Sequence, residues 1–368
     1  MIPLLAEQDR MGPLPLYHHL YNDLPRRYAM PDGSDPAAWT QWRNDLRRQL
    51  RQRLNLLPAS DAPFATQYAP TTQHSGYRRQ YIEFASDEGS VVPAWLLIPD
   101  GITTPRPAVI ALHGHGYGVD DIVGINPDGT DRTGPPGYHA DFALALCRRG
   151  FVVIAPELLA FGRRRELSDI ARGTGESSCH DAALWGIMLG RPLLGRRVYD
   201  VLRTLDYLAT RPEVDPASIG IMGLSGGGTV TLCAAALDER LRAIVLSGYL
   251  CTFRDSILAI DHCLCNYVPG LLEDAEMYDL AALFAPRPLL VEAGTLDQIF
   301  PIVSVKVAYE RVAHAYAAAG VADHLDHDFF EGSHQISGAK AYDFLWDWLG
   351  KAEPEEGATM QSVQGANA

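Results

Sequence analysis

The amino-acid sequence contains no apolar stretch of about 18 residues, which is the length that a helix needs to cross a lipid bilayer. Its first residues, MIPLLAEQDRMG, also lack the basic segment and the longer apolar run of a secretion signal, because Glu7 and Asp9 interrupt the apolar residues. We therefore expect a cytoplasmic protein that has no membrane partner.

Cysteine is scarce: the 368 residues include six cysteines, without a C-x-x-C pair or any Cys/His spacing typical of a metal site. Such a low density excludes a small disulfide-rich scaffold. Cys263 and Cys265 lie beside His262, and packing within a surface segment is favoured for them over redox chemistry or metal binding. The sequence thus predicts neither a metal nor another cofactor.

Positive charge is also in deficit, since 31 Lys and Arg stand against 45 Asp and Glu and give a net charge of -14. This charge repels phosphate backbones, so nucleic acid is not an expected partner. The sequence has no short repeat typical of collagen or of a coiled coil, whereas 47% hydrophobic residues suffice for a core. These features predict an ordinary globular protein.

An N-terminal extension, residues 1–76, precedes the main domain that we predict over residues 77–350. It contains an amphipathic helix at about 36–56, whose apolar residues share one face: Trp39, Trp42, Leu46, Leu50 and Leu54. One helix buries too little surface to be stable alone, so we expect it to pack on the core or on another copy of the chain, as in a homo-oligomer. The polar residues 351–368 predict a disordered tail.

Strands and helices alternate regularly over residues 77–350, which predicts an α/β protein with a mostly parallel central sheet flanked by helices. The first two strands have no helix between them and favour an antiparallel start. Three irregular segments, 117–139, 158–192 and 249–278, interrupt the alternation as loop or lid insertions. Each follows the carboxyl end of a strand, where open parallel sheets bind ligands, so we expect these segments to form the walls of a pocket.

The sharpest motif is Gly223-Leu224-Ser225-Gly226-Gly227, which lies between a buried strand and a helix of small residues. A G-x-S-x-G turn in this setting exposes the serine hydroxyl above the sheet. The backbone N–H of Gly226 then stands at a helix N-terminus, where it can bind developing negative charge. We expect Ser225 to be a nucleophile.

A serine nucleophile needs a base within hydrogen-bond reach and a carboxylate that orients the base. His334 follows the last predicted strand, where the chain order Ser, acid, His of this architecture places the base. Asp297 follows the strand PRPLLVEAG and is the expected acid, since Glu292 falls within that strand.

A second glycine-bracketed turn, His113-Gly114-His115-Gly116, directly follows the strand RPAVIAL. It can supply the second donor to an oxyanion, and we assign this donor to the backbone N–H of His115. His113 is expected to order the turn through its ring. An H-x-H pair is also compatible with a metal, but no further clustered ligands accompany it in the sequence.

Four further residues are candidates for the pocket. Glu157 follows the strand FVVIAP and, with the arginines at 163–165, could contact a polar or acidic substrate, although a solvated loop also fits. Trp185, Tyr249 and Tyr267 lie in two of the irregular segments and are candidate pocket walls, with an ordinary core position as the alternative.

Together, the motifs LHGHG, GLSGG, GTLDQIFP and EGSH resemble those of the α/β-hydrolase superfamily, in particular the dienelactone-hydrolase and acetyl-xylan-esterase-like serine esterases of bacteria. The resemblance covers about residues 77–350. It implies an α/β-hydrolase fold and a serine carboxylesterase, with no cofactor, acting on a small carboxylic ester that carries a short or acetyl chain. Amidase or peptidase activity, or a non-catalytic ligand-binding role, stays open.

The sequence departs from relatives within this superfamily in two respects. Dienelactone hydrolases proper use a cysteine nucleophile, whereas position 225 is serine, which argues against that activity. Peptidases with a related domain carry a large propeller, and the roughly 75 residues before the first predicted strand are too few to build one.

Overall fold

The computed structural model describes residues 12–33, 35–87 and 89–350 of the chain. The tail predicted as disordered, residues 351–368, lies outside these residues, as does the beginning of the predicted N-terminal extension. No helix within the described ranges has both the length and the apolar character needed to cross a membrane.

In the described part of the chain, a mixed sheet of ten strands forms the centre of the fold. Nine strands follow the order β1-β3-β4-β6-β5-β7-β8-β9-β10, and β2 pairs with β3 beside that path. The strands are β1 Gln67–Tyr68, β2 Thr72–His74, β3 Tyr77–Asp87, β4 Ser90–Pro99, β5 Arg106–Leu112, β6 Val152–Pro156, β7 Val214–Leu224, β8 Leu241–Ser247, β9 Leu289–Gly294 and β10 Leu325–Phe330.

Strand pairing divides the sheet into an antiparallel and a parallel part. The pairs that join β1, β2, β3, β4 and β6 are antiparallel. The pairs from β6 through β5, β7, β8 and β9 to β10 are all parallel. The predicted mostly parallel sheet with an antiparallel first pair is therefore confirmed.

Helices cover both faces of the sheet and close two hydrophobic cores. The helices are α1 Pro13–Asp23, α2 Pro36–Arg53, α3 Phe142–Arg148, α4 Leu167–Arg172, α5 Cys179–Met188, α6 Leu193–Ala209, α7 Gly226–Leu237, α8 Leu271–Asp274, α9 Met277–Ala282, α10 Ile302–Ala318 and α11 Ala341–Leu349. Side chains of α2, α6, α7 and α10 pack in the larger core. Those of α3 and α11 pack in the smaller core on the opposite face. In β5, Ile110 belongs to the larger core and its neighbours Val109 and Ala111 to the smaller one, as the alternation of a strand requires.

Helix α2 begins after Asp35, whose side chain accepts a hydrogen bond from the N–H of Ala37. The predicted apolar face is buried in the larger core of the same chain. Arg47 and Arg51 donate to the carbonyls of Ala236 and Leu237 at the end of α7. These carbonyls have no partner within their own helix, so α2 caps the C-terminus of the helix that begins at the G-x-S-x-G turn.

The three irregular segments form short helices and turns beside the carboxyl edge of the sheet. Residues 117–139 contain a 3₁₀ turn at Val119–Val123 and a bridge between Ile125 and Asp131. Residues 158–192 contain a 3₁₀ turn followed by α4 and α5. Residues 249–278 contain a 3₁₀ turn at Leu264–Asn266, α8 and the start of α9.

Candidate active site

Ser225 occupies a strained turn between β7 and α7. Its backbone has φ 78° and ψ −110°, a left-handed conformation that a residue with a Cβ adopts only when the surrounding structure enforces it. The turn is tight because the helix approaches β5: a Cβ on Gly227 would lie 2.1 Å from the carbonyl oxygen of Leu112. The glycine at 227 is therefore required by sterics, and the turn lifts Ser225 above the sheet.

The hydroxyl, imidazole and carboxylate that the sequence singles out lie in one hydrogen-bonded chain. His334 Nε2 is 2.8 Å from Ser225 Oγ, and His334 Nδ1 is 2.7 Å from Asp297 Oδ2. The other carboxylate oxygen, Oδ1 of Asp297, accepts the backbone N–H groups of Ile299 and Phe300. The carboxylate is thereby fixed in orientation, with one oxygen held by the backbone and the other turned toward the imidazole.

Parallel strands explain how these distant residues meet. Ser225 follows β7, Asp297 follows β9 and His334 follows β10, and the carboxyl ends of parallel strands lie at the same edge of a sheet. Ser225 is 6% and Asp297 5% exposed, whereas the side chain of His334 is 17% exposed. The imidazole thus faces the opening of the site.

Glu292 lies within β9 and turns away from this chain of hydrogen bonds. It is fully buried, and its two oxygens accept the hydroxyl of Ser247 and the N–H groups of Ser337 and Gly338. Burial raises the pKa of the Glu292 carboxyl. The structure therefore pairs His334 with Asp297 and leaves Glu292 as a support of the loop that follows β10.

Hydrogen bonds from several parts of the chain hold the turn at 113–116, among them one from the N–H of Leu158 to His113 Nε2 at 3.1 Å. The N–H of Gly114 donates to His139 Nε2 at 2.8 Å, and the hydroxyl of Tyr138 donates to the carbonyl of His115. Within the turn, His113 Nδ1 donates to the carbonyl of Gly114 at 2.8 Å. The ordering role predicted for the His113 ring agrees with this contact.

Tyr138 and His139 have no motif in the sequence that reveals them, because they lie in the irregular segment 117–139. His139 Nδ1 donates to Asp121 Oδ2 at 2.7 Å. Burial lowers the pKa of His139, so the ring stays neutral and its Nε2 can accept from Gly114. Burial also opposes ionisation of Asp121, but hydrogen bonds from His139 and Arg132 outweigh it and lower the pKa of this carboxyl to about 2.

The backbone N–H groups of His115 and Gly226 lie close together beside Ser225. A Cβ on Gly226 would lie 3.7 Å from the backbone nitrogen of His115, so the two peptide units are neighbours. In the described part of the chain, no protein acceptor takes the N–H of either residue. This pair of unengaged donors beside a serine hydroxyl is the arrangement that binds a tetrahedral oxyanion.

Aromatic and imidazole rings surround the serine. The His115 ring centre lies 5.2 Å from that of Phe161 and 6.1 Å from that of His262. Phe300 stacks on His334 with ring centres 5.6 Å apart. Burial lowers the pKa of His115 to about 4, so this ring is neutral near pH 7. The rings of His115 and His334, each packed against a phenylalanine, therefore lie beside the turn that carries the hydroxyl.

The predicted substrate contact for Glu157 is wrong. This carboxylate is 1% exposed, and its oxygens accept the N–H groups of Val119 and Arg163 and approach His113 Nε2 at 3.2 Å. A Cβ on Gly162 would lie 1.9 Å from one of these oxygens, so the loop closes tightly around the carboxylate. Glu157 ties two irregular segments together beneath the site.

The three aromatic pocket candidates occupy different environments. Tyr249 is 2% exposed and packs against Phe300, so it belongs to the core and does not form a pocket wall. Tyr267 lines a cavity of about 190 Å³ together with Phe253, and Ser225 is not among its lining residues. Trp185 is 71% exposed on α5 and is not a core residue.

A family model described as "Abhydrolase family" matches residues 10–334 of the chain. The chain is also 31% identical over 237 residues to the "Putative hydrolase YtaP" of Bacillus subtilis (strain 168), a match that covers 63% of this chain and 74% of that protein.

Solved structures with the same fold extend the comparison. A "putative acetyl xylan esterase" from Bacteroides fragilis NCTC 9343 superimposes with a TM-score of 0.75 at 22% identity, over 87% of this chain and 82% of that one. A glucuronoyl esterase from Solibacter usitatus superimposes with a TM-score of 0.63 at 15% identity, over 88% of this chain and 96% of that one. At these identities the likeness establishes the α/β-hydrolase fold.

Proposed function

Since the chain belongs to the abhydrolase family, we propose that it is a serine esterase that hydrolyses short-chain, in particular acetyl, esters through Ser225, His334 and Asp297. One observation carries the proposal: His334 lies 2.8 Å from Ser225 Oγ through one ring nitrogen and 2.7 Å from Asp297 Oδ2 through the other. A base and its orienting carboxylate are thus aligned on a hydroxyl that is a weak nucleophile without them.

Acylation uses these groups in sequence. His334 Nε2 takes the proton of Ser225 as Oγ bonds to the ester carbonyl carbon, and the carbonyl oxygen becomes an oxyanion. The N–H groups of His115 and Gly226 stabilise this charge. When the intermediate collapses, the bond to the leaving oxygen breaks and His334 gives its proton to the departing alkoxide.

Deacylation repeats the same proton transfers with water. His334 takes a proton from water as the water oxygen attacks the acyl carbon, and returns that proton to Ser225 Oγ when the acid leaves. Asp297 accepts the Nδ1–H of His334 throughout, which keeps Nε2 free to accept a proton and stabilises the cationic ring.

The rings around Ser225 support a small acyl group. Phe161 lies against the ring of His115 and Phe300 against the ring of His334, so aromatic groups flank the proposed acyl position. The names of the two structural relatives, an acetyl xylan esterase and a glucuronoyl esterase, refer to carbohydrate esters. We therefore propose acetyl esters carried by sugars as the substrate class.

An ester panel tests this proposal. We expect kcat/KM for p-nitrophenyl acetate to exceed that for the octanoate at least tenfold, as the proposed short-chain specificity requires, and we expect acetate release from peracetylated xylose. Preference for the octanoate would contradict the short-chain proposal. Faster turnover of p-nitroacetanilide than of the matching acetate ester would instead favour an amidase.

Tyr138 is a positioning residue for this reaction. Its hydroxyl donates to the carbonyl of His115 and so holds the residue whose own N–H is a proposed oxyanion donor. We expect Tyr138→Phe to lower kcat about 10- to 100-fold with KM nearly unchanged, since a misplacement of about 1 Å can cost about 100-fold in rate. Steady-state kinetics measure kcat and KM separately.

Tyr309→Phe is the matched control for this substitution. It removes the same hydroxyl group, but the hydroxyl of Tyr309 contacts His327 on β10 and not the turn at 113–116. We expect wild-type kcat and KM for this control. Wild-type kcat in Tyr138→Phe, or an increase in KM alone, would contradict the positioning role.

A further inference from the structure

Four metal-ligand side chains from three segments of the chain meet beside the candidate active site. They are His115, Cys179, Cys263 and Cys265, and their ligand atoms all lie within 4.8 Å of one another. His115 Nε2 is 3.5 Å from Cys265 Sγ. The spacing of these residues in the sequence gives no sign of the cluster, because long stretches of chain separate His115 from Cys179 and Cys179 from Cys263 and Cys265.

The dimensions of the cluster fit a tetrahedral ion. Zn²⁺ binds thiolate sulfur at about 2.3 Å and imidazole nitrogen at about 2.0 Å, so its ligand atoms lie about 3.5–3.8 Å apart. The separation of 3.5 Å between His115 Nε2 and Cys265 Sγ already matches such an edge. Three thiolates and one imidazole are a closed ligand set of structural zinc sites, with no position left for water.

Arg197 provides an independent indication of negative charge in the cluster. It is 1% exposed, and its guanidinium donates to the carbonyl of Leu159 and, at 3.0 Å, to Cys179 Sγ. Within the described ranges no carboxylate lies within ion-pair distance of this guanidinium. Burial of a cation without a counter-charge destabilises the folded state. We therefore expect a negatively charged group next to this guanidinium.

The charge of a zinc site supplies that anion. One Zn²⁺ and three thiolates carry a net charge of −1, and the guanidinium of Arg197 neutralises it. Three neutral thiols would leave the buried charge uncompensated. A disulfide between two of the sulfurs would leave Arg197 beside a single remaining thiol and would not use the imidazole.

We propose that His115, Cys179, Cys263 and Cys265 bind one Zn²⁺ ion in a structural site, with Arg197 as its counter-charge. The ion joins the turn after β5 to the segments 158–192 and 249–278, which come together here without any covalent link between them. The role expected for Cys263 and Cys265 from the sequence, packing alone, is thereby replaced by metal binding.

Zinc binding is also expected to affect kcat, and this expectation rests on the proposed function. The backbone N–H of His115 is one of the two proposed oxyanion donors, and its ring is one of the four proposed ligands. The ion therefore fixes the residue that carries the donor. We expect zinc removal to lower kcat while the central sheet stays folded.

Metal analysis of the full-length wild-type chain tests binding without reference to activity. The protein is produced with added zinc, purified under reducing conditions and analysed by inductively coupled plasma mass spectrometry, and we expect about one zinc per chain. Reduced apoprotein titrated with CoCl₂ is expected to develop thiolate-to-cobalt charge-transfer bands and the d–d bands of tetrahedral cobalt. Absence of zinc together with absence of these bands would overturn the site.

Variants assign the ligands. The double substitution Cys263→Ser/Cys265→Ser is expected to abolish zinc retention and the cobalt bands, whereas Cys147→Ser, a buried cysteine in α3 outside the cluster, is expected to keep both. Zinc retained by the double variant at the wild-type level would overturn the assignment. If the double variant does not fold, the wild-type measurement still decides.

The same measurements separate this proposal from the proposed function. Ser225→Ala is expected to keep its zinc and lose turnover. A zinc-containing wild-type protein without esterase activity contradicts only the proposed function. An active enzyme that takes up neither zinc nor cobalt contradicts only the metal site.

Discussion

Replacing Ser225 by alanine is expected to lower kcat for p-nitrophenyl acetate by about 10⁴- to 10⁶-fold, to the level that binding and the oxyanion donors provide alone. The hydroxyl is the atom that bonds to the acyl carbon, so no other group of the site can replace it. Its hydrogen-bond partner is His334, and the loss of this one contact leaves the core intact. Steady-state kinetics and a thermal melt of the variant measure the two effects.

Ser333→Ala is the matched control. Ser333 directly precedes the proposed base, but its hydroxyl donates to Gln335 and contacts neither Ser225 nor Asp297. We expect this variant to turn over at the wild-type rate. Labelling by a fluorophosphonate is expected for the wild type and for Ser333→Ala and not for Ser225→Ala. A Ser225→Ala protein that retains the wild-type rate, or a wild type that resists labelling, would refute the nucleophile and favour a ligand-binding role.

Asp297→Asn is expected to lower kcat about 10⁴-fold, because it reverses the tautomer of His334. The backbone N–H groups of Ile299 and Phe300 point at Oδ1 of residue 297, so the carbonyl oxygen of the asparagine stays there. Its NH₂ group then faces His334 Nδ1 and donates to it. The imidazole proton moves to Nε2, which can no longer accept the proton of Ser225.

Glu292→Gln separates this effect from a general loss of carboxylate near the site. Glutamine keeps the size of the Glu292 side chain and one of the two oxygens that accept from Ser247, Ser337 and Gly338. We expect its kcat to stay within tenfold of the wild type, with any loss visible in the melting temperature. A larger loss of kcat in Glu292→Gln than in Asp297→Asn would contradict this assignment. It would indicate that Glu292 is the carboxylate that acts on His334.

Local signals in the sequence led to three residues that the structure places in one hydrogen-bonded chain. The glycines that a strand-to-helix turn requires flank Ser225 in the sequence. His334 and Asp297 each follow the end of a predicted strand. Since parallel strands end at one edge of a sheet, their order along the chain is enough to bring the three residues together. Helical periodicity likewise predicted the apolar face of α2, which is buried in the larger core.

The pocket candidates show where this reasoning stops. Glu157 has the sequence position of a substrate contact, yet backbone N–H groups from two loops surround it. Tyr249 lies at the start of an irregular segment and packs in the core, while Trp185 is exposed. Neither composition nor periodicity describes which side of such a segment turns inward, because irregular segments have no repeating geometry.

The sequence by itself determined the alternation of strands and helices, the strained serine turn and the three residues at strand ends. Each depends on backbone preferences and periodicities that act over a few neighbouring positions. Only the tertiary structure decided that Tyr138 and His139 hold the turn at 113–116, and that His115 meets three cysteines beside a buried Arg197. These contacts arise from the packing of irregular segments, whose paths depend on all the surfaces around them.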